Sequence, residues 1–231
     1  MSIIDLPVSA SPVDVVPLKY GVVVYQGFQA LDVFGPLDAL NSLSLAYPLQ
    51  LYVIAETLEP VTTKPPKGLG NPAADFGQSI LPTHTFETAP AVDVLIVPGG
   101  IGNRVPENIS KAIDYIARVY STLKFLITVC TGSAIAAQAG VLDGKRATTN
   151  KRAWSRTIQL RPQVEWVAHA RWVVDGKIWT SSGVSAGIDI IFAFMGEAYG
   201  EEVATMIANF LEYERHTDSN WDPYADLYGI N

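Results

Sequence analysis

Cysteine is nearly absent: the 231-residue chain has one, Cys130. No intrachain disulfide framework can be built, so nothing in the sequence calls for an oxidising compartment. Histidine is scarce as well, with three residues, His84, His169 and His216, far apart in the chain. Positive charge is thin: 16 lysine and arginine residues stand against 23 aspartate and glutamate, a formal charge of −7. No basic cluster goes beyond pairs such as Lys145-Arg146 and Lys151-Arg152. A phosphate backbone needs a positive footprint, so nucleic-acid binding is disfavoured. No uninterrupted apolar run approaches the length of a membrane helix, which argues against membrane insertion. The start, Met1 to Pro17, lacks a basic leader and is broken by Asp5 and Asp14, unlike a secretory signal or an arginine-rich transit peptide. These absences leave a soluble, cytoplasmic protein acting on a small molecule as the expectation.

What is present is core material. Hydrophobic residues make up 48% and charged residues only 17%, enough apolar content for one α/β domain. Residues 1–17, with prolines at 7, 12 and 17, read as a flexible lead-in, 18–213 as the domain, and 214–231 as a tail packed on it. Strand formers occupy Tyr20 to Tyr25, Leu49 to Ala55 and Val92 to Val97. A helix is expected from Leu37 to Leu43, with Pro36 in its first turn, where a missing N–H costs nothing. Ile109, Ile113, Ile116 and Tyr120 mark one helix face, and Arg146 to Thr149 reads as a strand before a helix from Lys151 toward Leu160. Asp175-Gly176 signals a hairpin turn, and two helices with plain core stripes close the domain. Residues 56–75, rich in proline, glycine and lysine, are too long for an ordinary connection and read as an insertion or a flap over a site. Strands alternating with helices imply a mainly parallel sheet covered on both faces, with the ligand site at the carboxyl ends of the strands.

Cys130 stands at such an end. Phe125 to Val129 reads as a buried strand and the alanine-rich run after Ser133 as a helix, with Gly132 and Ser133 small enough for a sharp turn between them. A sulfur projecting there meets a helix N-terminus, whose N–H groups and dipole favour a thiolate, the geometry of a nucleophile elbow. The plain alternative is a small buried hydrophobe. Convergence of the turn after Tyr25, the turn Pro98-Gly99-Gly100 and Cys130 on one rim favours the functional reading.

The elbow Val129-Cys130-Thr131-Gly132-Ser133, the turn Pro98-Gly99-Gly100, and Leu31-Asp32 followed by Gly35-Pro36 together resemble the ThiJ/PfpI superfamily, of the class I glutamine amidotransferase-like type. Gly144 to Thr149 and Gly183 to Asp189 extend the likeness to its isonitrile hydratase branch. The resemblance implies an α/β, flavodoxin-like three-layer sandwich with a mainly parallel sheet and a cysteine nucleophile elbow. It implies a homodimer, no cofactor and no metal. In the site, it places Asp32 as a protonated partner of Cys130, Thr131 as a hydroxyl orienting substrate or water, and the backbone around Gly99, Gly100 and Ile101 as an anion-stabilising or substrate-binding pocket. The implied reaction is hydration of an isonitrile to an N-substituted formamide through a Cys130 thioimidate. An ordinary helix-start role remains open for Asp32, and turn-forming roles for the glycines.

Other activities occur on the same scaffold. Glyoxalase or deglycase relatives usually carry a histidine after the elbow cysteine, where this chain has Thr131. A redox sensor or chaperone using the same sulfur is open, whereas a transcription regulator is disfavoured by the acidic chain. One departure concerns the substrate: where the hydratase branch tends to have Thr-Thr-His, this chain has Thr148-Thr149-Asn150, and Asn150 can hydrogen-bond but not titrate. Trp154, Trp172 and Trp179 read as packing residues.

Overall fold

A computed structural model describes residues 16–230, so the lead-in expected over 1–17 lies almost wholly outside the described residues. Seven strands form the central sheet. In chain order these are β1 (Lys19–Val23), β2 (Gln50–Ala55), β5 (His84–Thr85), β6 (Val94–Val97), β7 (Phe125–Thr128), β10 (Trp172–Asp175) and β11 (Ile178–Ser181). Across the sheet they lie in the order β10-β11-β7-β6-β1-β2-β5. Every pairing is parallel except β10 with β11, the hairpin turning at Gly176. The apolar runs of the middle strands follow from this position: a strand covered on both faces has no polar side to alternate with. All four residues of β6 are buried, as are Leu126 and Ile127 of β7.

Helices α1 (Ala30–Ser44), α5 (Ala186–Tyr199) and α6 (Glu201–Phe210) pack together on one face. Helices α2 (Pro106–Val119) and α3 (Gly132–Gln138) cover the other, with α4 (Trp154–Leu160) beyond α3. The expected three-layer α/β sandwich with a mainly parallel sheet is therefore the observed architecture. Among the described residues, no helix is long and apolar enough to cross a membrane. Sheet order reverses at β1 and β6, since the chain runs outward through β2 to β5 and then returns to the other side of β1. The crevice at such a reversal, beyond the strands' carboxyl ends, is where open α/β sheets take ligands.

Three local expectations are corrected. Helix α1 begins at Ala30, seven residues before the expected Leu37, and Pro36 lies inside it rather than in its first turn. The chain turns early because Gly27 adopts φ +75° and the Gln29 N–H donates to the Gly99 carbonyl at 2.8 Å. Proline there leaves the Asp32 carbonyl without its helical donor, a local cost of about 3 kcal/mol that burial of Val33, Leu37 and Leu40 offsets. The strand expected over Arg146 to Thr149 is only β8 (Arg146–Ala147), paired with β9 (Glu165–Trp166) outside the main sheet. It stops because side chains take over: the Thr148 N–H donates to Thr180 Oγ1 and the Thr149 hydroxyl to the Cys130 carbonyl. Finally, residues 56–75 do not cover the Cys130 cavity. They lead through β3 (Val61–Thr62) toward β4 (Ser79–Ile80), and the Thr62 carbonyl accepts from the Gly27 N–H at 2.8 Å. The segment braces the first turn from outside.

The tail is tied to the domain by charge. Asp222, capping α7 (Pro223–Leu227), pairs with Lys151 at 3.1 Å, with both side chains 2% exposed or less. Lys151 also donates to Thr148 Oγ1 and the Ala170 carbonyl. Removing one member of a buried pair strands the other charge, so Asp222→Ala is expected to destabilise the fold by about 3–5 kcal/mol. Urea unfolding measures it; a loss below about 1 kcal/mol would mean that the pair is solvated in solution.

Candidate functional site

Backbone strain marks the elbow. Cys130 has φ +57°, one of two non-glycine residues with positive φ among those described. Such a conformation costs roughly 1–3 kcal/mol and persists only where the surroundings enforce it. Here the Gly132 N–H donates to the Val129 carbonyl, Ser133 and Thr149 hydroxyls donate to the Cys130 carbonyl, and β6 presses from below. A methyl on Gly132 would lie 2.0 Å from the Val97 carbonyl oxygen, so only glycine allows the turn to sit on the sheet.

Asp32 arrives from the first turn of α1 and is fully buried. It is not the helix cap, a position held by Gln29. Its Oδ2 accepts from the Gly99 N–H at 2.9 Å. Its Oδ1 is buried with no hydrogen-bond partner, and the Cys130 thiol is a polar neighbour of the carboxyl. Burial raises the Asp32 pKa to about 7, against the smaller opposing effects of the Gly99 and Cys130 hydrogen bonds. Since Oδ2 is already an acceptor, the proton of the neutral acid belongs on Oδ1.

The thiolate expected from the helix N-terminus is not the simple resting state. Burial pushes the Cys130 thiol well up, and the Asp32 charge pushes it further. Donors from the Thr131 N–H, the Asn150 amide and the Thr131 hydroxyl pull the other way without prevailing. Two acids in one dry pocket cannot both ionise, so above neutral pH the pair holds one proton and one negative charge between oxygen and sulfur.

The remaining sequence-selected groups divide. The Gly99 N–H is engaged by Asp32 and the Gly100 N–H by Thr131 Oγ1 at 3.2 Å, so neither is available to a substrate anion. The Ile101 N–H, at the start of a short 3-10 turn, lacks an intrahelical acceptor, and Ile101 lines the cavity. The Thr131 hydroxyl is among the donors that pull the Cys130 pKa down, its oxygen accepts from the Gly100 N–H, and its carbonyl is held by Asn103 Nδ2 at 3.1 Å.

That cavity, about 380 Å³, opens over Cys130 and Thr131 between Gln29, Asn150 and Val184. It contains no imidazole: His84 bonds Thr83, His169 sits 3.9 Å from Asp226, and His216 stacks on Trp221. None of the three tryptophans lines it either; Trp172 and Trp179 belong to the main core and Trp154 packs on Ala225 and Ile230. Asp189, from the second resemblance motif, is structural, accepting from Arg171, Tyr213 and the His216 N–H.

Sequence reasoning missed two features. Asn150 lines the Cys130 cavity and pulls the thiol pKa down, while its Oδ1 caps the following turn at Ala153. Its place in the Thr-Thr-His position was the one available signal. Arg104, Arg152 and Arg156 line the same cavity; Arg152 and Arg156 stand at helical i, i+4 spacing across a short 3-10 turn and α4, whereas no spacing rule adds Arg104, which ends a separate 3-10 turn.

An α/β sandwich with a strained cysteine elbow and a carboxyl at the sulfur defines a class of protein. The sequence pattern of the DJ-1/PfpI family matches residues 19–197, and the chain belongs to that family. It is 33% identical to an isonitrile hydratase from Pseudomonas putida over 85% of this chain and 78% of that one. It is 32% identical to a deglycase from Pyrococcus horikoshii over 55% of this chain and 74% of that one. HTH-type transcriptional regulators match over part of their length. Among solved structures, a ThiJ/PfpI family protein from Pseudomonas syringae superposes with a TM-score of 0.70 at 27% identity, covering 92% of this chain and 83% of that one.

Proposed function

We propose that this protein hydrates isonitriles to N-substituted formamides, with Cys130 as nucleophile and Asp32 as its proton partner. The observation that carries the reading is the lone buried carboxyl beside the sulfur, its pKa raised by burial to about 7, beneath a cavity without histidine. The similarity to an isonitrile hydratase over most of both chains supports it.

In the singly protonated pair, sulfur attacks the terminal isonitrile carbon while the Asp32 proton goes to that carbon, giving a thioimidate and an Asp32 carboxylate. Water then adds: Asp32 takes one proton and the hydroxide oxygen bonds to carbon. That proton passes to nitrogen, the C–S bond breaks, and the hydroxyl proton returns to Asp32. The products are the formamide and the starting pair, so one carboxyl serves as acid and then base. Thr131 and Asn150 stabilise the departing sulfur as donors. The scheme calls on no metal or organic cofactor. The homodimer and small-molecule substrate implied by the resemblance belong to the same proposal.

Purified protein is expected to form formamide from simple alkyl or aryl isonitriles, and absence of turnover across such a panel would remove the reading. The pH profile has a defined sign. Below pH about 7 the pair takes up its second proton and becomes neutral. Accordingly kcat/KM should fall about tenfold per pH unit on the acid side. A flat profile from pH 5 to 8 would separate Asp32 from the chemistry.

A second reading, deglycase-type action on α-oxoaldehydes, draws on the Pyrococcus similarity. The histidine-free cavity counts against it, and lactate production from methylglyoxal tests it. A peroxide sensor is less well supported, because sensing favours an accessible, low-pKa thiol and this one is buried and raised.

A further inference from the structure

The cavity over Cys130 is positively charged in a chain that is negative overall. Arg104, Arg152 and Arg156 line it, no aspartate or glutamate does, and the one nearby carboxyl, Asp32, is sealed beneath the elbow. None of the three arginines forms an ion pair among the described residues, and the Arg104 and Arg152 guanidinium groups have no hydrogen-bond partner there. Arg156 is fixed in place: its two terminal nitrogens donate to Asn103 Oδ1 at 3.3 Å and to the Asn103 carbonyl at 3.2 Å. Asn103 in turn holds the Thr131 carbonyl, so this guanidinium is locked in register with the elbow. Like charges are gathered here at a cost, since partial burial and Arg104 both lower the proton affinity of Arg156. None of the three arginines hydrogen-bonds Cys130 or Asp32; Arg156 is spent on Asn103.

We infer that the substrate carries an anionic substituent of the carboxylate class, seated on Arg104, Arg152 and Arg156 while its reactive carbon meets Cys130. This rests on the hydration reading for the reaction, but the arginine subsite is a property of the cavity and can be probed separately. A guanidinium matches a carboxylate's two oxygens, and the existing Arg156 geometry reduces the ordering cost of binding.

Two pairs of probes test it. Iodoacetate and iodoacetamide present the same reactive carbon to Cys130 and differ in charge. Relative to the ratio shown by a free small thiol, the anionic reagent should be favoured roughly tenfold, and the preference should fade in about 0.5 M salt and in an Arg104→Gln/Arg152→Gln variant. Isocyanoacetate and isobutyl isocyanide are near-isosteric substrates, and kcat/KM should favour the carboxylate by a similar roughly tenfold factor that collapses in the same variant. Hydration of isobutyl isocyanide with no carboxylate preference overturns the subsite and leaves the reaction standing. Failure of both isonitriles with the iodoacetate preference intact removes the reaction and leaves the subsite. A labelling ratio equal to that of the free thiol, or no labelling by either reagent, overturns the subsite.

Discussion

Cys130→Ser should lose formamide production by about 10⁴-fold or more while keeping the wild-type fold. The substitution exchanges one atom, and the elbow's hydrogen bonds run to the Cys130 backbone carbonyl, which is unchanged. Serine can also accept from Thr131 and Asn150. What it cannot do is share a proton with a carboxyl at about pH 7, because an alkoxide is far less accessible than a thiolate. Thermal melts within a few degrees of wild type, together with lost turnover, assign the defect to chemistry. Retention of more than about a hundredth of the activity, well outside the loss expected for a nucleophile, would show that sulfur forms no covalent intermediate.

Asp32→Asn should lower turnover by about 10²- to 10⁴-fold and, unusually for a buried site, raise stability at alkaline pH. Asparagine can keep the acceptor for the Gly99 N–H and direct its amide toward the sulfur, as the protonated acid does. The stability effect follows from linkage. The native pKa of about 7 exceeds the reference value of 3.8, so the folded protein binds more protons between those limits. Stability from this group is fully present below about pH 4, declines as pH rises toward 7, and is gone above it. A rise of that size sets an upper bound of about 4 kcal/mol on the penalty of the ionised carboxyl. The variant lacks that penalty. Its melting temperature should exceed that of wild type at pH 8.5, and the gap should close by pH 4. A variant less stable than wild type at pH 8.5 would show that the charge is solvated or neutralised in a way the buried geometry does not provide.

The Cys130 elbow was legible because its grammar is local: an apolar strand, two small residues and a helix are all written within a dozen positions. The chemistry of that sulfur was not. A helix N-terminus favours a thiolate, yet burial and the Asp32 charge outweigh it, and burial depends on what the rest of the chain packs around the turn. Pro36 misled the reading of α1 because intrinsic helix preference yielded to tertiary packing of the helix it sits in. Gly99 and Gly100 looked like donors for a substrate, but their N–H groups are engaged by Asp32 and Thr131, partners 67 and 31 residues away.

By itself the amino-acid order determined the sheet-and-helix alternation, the parallel topology with its site at the strand ends, and the single candidate nucleophile. These are periodicities and turn residues, set over short spans of chain. Only the tertiary structure decided that Asn150 lines the Cys130 cavity, that Asp32 is buried and held by the Gly99 N–H, and that three arginines face one cavity. Those facts arise from residues distant in sequence, and their energies depend on solvent exclusion and separation in space, which linear spacing does not encode.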